Sequence, residues 1–111
     1  MDSLQVTDAA SAAVAVAPRV QLKDIEAAVA VRYDVNGLDA VGSVAYGGEA
    51  LALLSICILV MKNGFTVIGK SAPASAENFN ADLGRKFAYE DAIRQLWPLM
   101  GFSLRDKLAA A

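Results

Sequence analysis

Two short apolar runs, SICILVMK and FTVIGK, flank the pair Asn63-Gly64. Asn-Gly between β-branched runs is a strong hairpin marker, because a type I′ turn needs positive φ at both central residues. The pattern predicts strands over residues 55–62 and 65–70. A two-residue loop sets Lys62 opposite Phe65 and Val60 opposite Val67. Ile56, Ile58, Val60, Phe65 and Val67 then share one face, and Cys57, Leu59, Met61, Thr66, Ile68 and Lys70 the other. Both faces are largely apolar and both need cover. A lone hairpin is marginal in water, so further strands are expected, a second copy of the chain being one source. A homo-oligomer follows from that reading. Taken alone, residues 50–62, which open with ALALLSICILVM, also fit a buried helix, and periodicity does not separate the two at this length. The turn chemistry favours the hairpin.

Downstream, Phe79, Leu83, Phe87, Ala88, Ala92, Ile93, Leu96 and Trp97 recur at three- and four-residue steps. This stripe predicts a long amphipathic helix over about residues 79–97. Asn78 or Asn80 can cap its start, and Pro98 and Gly101 predict its end, followed by a short helix over 102–108. Upstream, Leu22, Ile25, Val29 and Tyr33 fall on one helical face, predicting an N-terminal helix over 21–33. Glycines and Asn36 predict a loop over 34–48, with room for a short strand at 41–46 and a helical or extended lead-in over 47–54. Residues 1–18, rich in Ala, Val and Ser without a clear period, are expected to be a flexible tail. Residues 19–111 then form a single α+β domain, the hairpin packed on the long helix.

Composition narrows the chemistry. The chain has 111 residues, 56% hydrophobic and 20% charged, with a formal net charge of −2. It has no histidine and one cysteine, which rules out Ser-His-Asp and Cys-His arrangements, Cys/His zinc sites of the usual kind and an intrachain disulfide. The acidic balance gives no global attraction to nucleic acid or anionic lipid. The N-terminus lacks the basic start of a secretory signal. No apolar run reaches the roughly 20 residues needed to span a bilayer.

Residues 64–71, GFTVIGKS, match the written form of a phosphate-binding loop. Phe-Thr-Val-Ile prefers a strand, however, and Pro73 follows where such a loop leads straight into a helix. A polar face on the long helix is the better ligand candidate: Asn78, Asp82, Arg85 and Tyr89 step by four, three and four, with Lys86 beside them. Arg85 would fork onto an anion and Tyr89 would stack, with Lys70 nearby. An ordinary solvated face with i,i+3 and i,i+4 charge pairs has the same pattern and is commoner. Gly84 within the helix implies close approach of a neighbour. Trp97 reads as a core or interface anchor and Cys57 as a buried hydrophobe. Glu77, Asp82, Glu90 and Asp91 read as solubilising carboxylates.

The runs ICILVMKNGFTVIGKSA and ENFNADLGRKFAYEDAIRQLWPLMGF, with APRVQLKDIEAAVAV upstream, resemble the small tailed-phage proteins of the gene-product-49/gene-66 family. The chain departs from that pattern at Lys70, Pro73 and Met100. The resemblance implies a phage accessory protein of the host cytoplasm and carries no catalytic residues, cofactor or metal. The expectation is therefore a non-catalytic protein that binds or sequesters a host defence protein or a nucleotide-derived signal. The alternatives are a nucleic-acid-associated replication module and a virion-associated structural protein.

Overall fold

The stretch VAVRYDVN alternates apolar and polar side chains and is rich in β-branched residues, the pattern of a half-covered strand. In the computed structural model, which describes residues 2–111, it forms a strand, β1 (Val29–Asn36). The helix expected over 21–33 is therefore shorter: α2 spans Leu22–Ala28 and stops where the alternation begins. β1 pairs antiparallel with β2 (Ser55–Met61), which pairs antiparallel with β3 (Thr66–Ser71), in the order β1-β2-β3. The third strand thus comes from the chain itself. Residues 50–61 are not one helix: α4 (Gly48–Ala52) leads into β2. The loop expected over 34–48 contains α3 (Gly37–Val41), and residues 41–46 hold no strand.

The hairpin is present, but its register differs by one residue from the expected one. Val60 faces Thr66 and Leu59 faces Val67. Met61 N–H donates to the Phe65 carbonyl at 2.8 Å, so the loop is the three residues Lys62, Asn63 and Gly64. Of these only Gly64 has positive φ, 88°. Asn63 instead accepts the Phe65 N–H through its side chain at 2.9 Å. This is a three-residue hairpin loop ending in a left-handed glycine rather than a type I′ turn. The slip moves every β3 side chain to the other face relative to β2.

One sheet face is therefore packed and the other open. Cys57, Leu59, Met61 and Val67 are buried on the packed face, with Gly69 beside them. They lie against α5 (Ala81–Ala110), whose Ala88, Ala92, Ile93 and Leu96 complete the core with Ile25 of α2. Burial of each of the fully enclosed Ile25, Leu59 and Ile93 is worth about 1.5–3 kcal/mol. Asn80 caps α5, accepting the Leu83 N–H at 3.0 Å. The helix does not end at Pro98 but runs through it and Gly101, absorbing the separate helix expected over 102–108. Proline deletes one backbone hydrogen bond, but the helix is held on both sides of it. Leu96 is buried, Trp97 Nε1 donates to the Val20 carbonyl at 3.2 Å, and Met100 packs on the core.

The segment expected to be a flexible tail is helical over Ser3–Val14, as α1; its first residue, Met1, lies outside the described residues. Asp2 and Gln5 form a reciprocal capping box, the Ala-rich sequence favours helix, and Leu4 enters the core at 3% exposure. Asp8 of α1 fastens the helix to the start of α2 and the residues just before it. Its carboxylate accepts from Arg19 at 2.8 Å and from the Leu22 N–H at 3.1 Å.

Candidate functional site

The six polar residues singled out on sequence do not converge on one point. Lys70 is on the open face of β3, directed away from α5, and its strand is followed by Pro73 and a short 3-10 turn (Ala76–Asn78) rather than a helix. The GFTVIGKS segment therefore lacks the loop-to-helix geometry that cradles phosphate. Asn78 lies in the 3-10 turn, exposed. Asp82 and Arg85 pair with each other one turn apart on α5, and Lys86 beside them is exposed. Tyr89 is half-buried, and burial pushes its hydroxyl pKa up.

The neighbour of Arg85 and Tyr89 that sequence reasoning did not find is Arg32 of β1. Its guanidinium sits 4.2 Å from the Tyr89 ring centroid, a cation–π contact. It also donates to the Asp34 carboxylate at 3.1 Å and to the Arg85 carbonyl at 3.5 Å. Arg32 thus occupies the Tyr89 ring face that was expected to stack on a ligand. Arg85 lines a cleft of about 330 Å³ together with Asp34, Asp39 and Ser55. Two carboxylates in that cleft oppose an anion.

Several other residues take part in packing. Cys57 is fully buried, which raises its thiol pKa. Gly84 admits β2: a Cβ there would lie 2.3 Å from Ser55 Oγ. Glu90 is not an exposed solubilising group but is buried beneath α1, where it accepts from Ser3 Oγ at 3.3 Å. Asp91 accepts the Lys70 N–H at 2.9 Å, and Gln95 donates to the Ile68 carbonyl at 2.8 Å. Leu83 and Phe87, expected on the core stripe, are about half exposed.

The most extended feature without a partner in the structure is the open sheet face. The register lines up Val31, Val60 and Thr66 in one row, Tyr33, Ile58 and Ile68 in the next, and Val35, Ile56 and Lys70 in the third. Tyr33 and Ile68 are 55% and 58% exposed at its two sides. Contiguous apolar surface of this kind marks interaction sites. Its signal in the sequence was the period-two run Val31, Tyr33, Val35, of which Tyr33 also satisfied part of a helical stripe.

These features define a small α+β protein with a one-sided sheet, packed by a long helix on one face and bare on the other. The chain belongs to the phage protein (N4 Gp49/phage Sf6 gene 66) family, whose model matches residues 21–108. No curated protein and no solved structure matches it significantly. Among the described residues, no helix is long and apolar enough to cross a membrane.

Proposed function

We propose that this phage protein is a non-catalytic binding protein of the host cytoplasm, which acts by occupying a host protein and itself assembles with further copies of the chain. The observation that carries this reading is the open apolar sheet face, with Ile68 and Tyr33 at its flanks. Covering such a face removes apolar area from water at about 25 cal/mol per Å². A protein surface supplies that cover better than a small polar molecule does. A nucleotide-derived ligand is the less favoured target, because Arg32 lies over the Tyr89 ring and Asp82 pairs with Arg85. Nucleic acid is disfavoured by the net charge of −2.

The test is affinity recovery from infected cells with the wild-type chain and with Ile68→Lys, an exposed substitution on an edge strand that tolerates lysine. The reading predicts a stoichiometric host protein with the wild type and its loss with the variant, whose circular dichroism is unchanged. Recovery of the same protein by both chains removes the sheet face as the contact. Calorimetry against linear and cyclic nucleotides is predicted to show no binding, and micromolar binding there would favour the nucleotide target instead.

A further inference from the structure

The two edges of the sheet are treated differently. Met61 and Phe65 exchange a backbone hydrogen bond, and in an antiparallel ladder this fixes the alternation. Residues 55, 57 and 59 of β2 bond to β3, while Ile56, Ile58 and Val60 bond to Val35, Tyr33 and Val31 of β1. On β3 the outward groups are those of Thr66, Ile68 and Lys70. Two of them are occupied by α5 side chains, Asp91 on the Lys70 N–H and Gln95 on the Ile68 carbonyl. On β1 the outward backbone groups belong to Arg32 and Asp34. Among the described residues no helix side chain hydrogen-bonds them, and residues 30–34 are all exposed. An uncapped edge of this kind is a template for another strand.

The edge is also complementary to itself. Arg32 and Asp34 are opposite charges two residues apart, both with outward backbone groups. Antiparallel pairing about a two-fold axis at Tyr33 sets Arg32 of each copy opposite Asp34 of the other, in hydrogen-bonded pairs. Centring the axis on Arg32 or on Asp34 instead brings like charges face to face. We infer that a second copy of this chain joins the first along β1, antiparallel, about a two-fold axis at Tyr33, making one six-stranded sheet. This names the interface for the assembly within the binding reading above. It also doubles the open face. Three strands span only about 14 Å by 17 Å, well short of the roughly 800 Å² per partner of a standard interface.

Sedimentation of the full chain reads the assembly directly, with twice 11.6 kDa expected. Tyr33→Cys is expected to link to its own copy on oxidation, since residues across the axis form a non-hydrogen-bonded pair with Cα atoms about 4.5 Å apart, within disulfide reach. The native thiol, Cys57, is buried and does not compete. Val31→Cys alone should stay unlinked and should link when mixed with Val35→Cys, its partner across the axis. Asp34→Pro removes an outward N–H and a charge while leaving the ladder to β2 intact, and is expected to weaken the dimer at least tenfold. A monomer at every concentration overturns the inference, as does a dimer that links through Val31→Cys alone and not through Tyr33→Cys. A monomer that still recovers the host protein overturns this interface only. A wild-type dimer that recovers no host protein supports the interface and counts against the binding reading.

Discussion

Gly69 of β3 lies directly against Ala88 of α5: a Cβ on Gly69 would sit 2.0 Å from the Ala88 carbonyl oxygen and 2.5 Å from the Ala92 amide nitrogen. Backbone meets backbone there, and neither side has a flexible group to move. Gly69→Ala is therefore expected to push helix and sheet apart and to lower stability by about 3 kcal/mol, at the upper end for overpacking. Urea denaturation measures it, and an unchanged midpoint would contradict the contact.

The second close approach is softer. Gly84→Ala gains about 1 kcal/mol of helix propensity, but its methyl meets Ser55 Oγ. The single variant is expected to be destabilised. With Ser55→Ala the hydroxyl is gone, and the pair should recover, giving a coupling energy of at least about 1 kcal/mol in a double-mutant cycle. Additive effects would mean that Ser55 is not the obstacle.

The attachment of α1 is expected to depend on pH. Hydrogen bonding from Arg19, and then from the Leu22 N–H, lowers the Asp8 pKa. A carboxyl group whose folded pKa is depressed contributes stability above its unfolded value, about 3.9, and loses it as pH falls through the folded value. Amide protection within α1 should therefore decline below about pH 4 in the wild type. In Asp8→Asn it should be weaker near neutral pH, flatter over the same range, and should approach the wild type once Asp8 is protonated. Hydrogen exchange across that interval measures both.

Asp91 and Gln95 close part of the β3 edge. Asp91→Ala leaves the Lys70 N–H without its carboxylate and is expected to cost about 1 kcal/mol, a typical net hydrogen-bond contribution. The Lys70 amide should exchange faster than its neighbours, and the double variant with Gln95→Ala should aggregate sooner on heating. Unaltered exchange at Lys70 would show that the edge is protected by something else.

Much of this architecture was legible before any coordinates. Asn63-Gly64 marked the hairpin and the spacing from Phe87 to Trp97 marked the helix. What failed did so for identifiable reasons. Asn-Gly suits both a two-residue and a three-residue loop, and the choice between them moves Val67 from one face to the other. Val29 and Tyr33 satisfy a helical and an extended period together, and the vacant edge of β2 decided between them. Pro98 ends most helices, yet Leu96, Trp97 and Met100 hold this one on both sides of it. For the site, sequence spacing set Arg85 and Tyr89 one turn apart on the helix but had no means of placing Arg32 over the ring. It grouped Lys70 with them, although β3 turns that side chain to the opposite face.

The working surface is the claim on which the functional account rests, and Ile68→Cys probes it most directly. Maleimide labelling of that thiol, at the flank of the bare sheet face and with Cys57 buried, is measured in the purified protein and in the complex recovered from infected cells. The account predicts rapid labelling in the purified protein and strong protection in the complex. Equal labelling in both would contradict it.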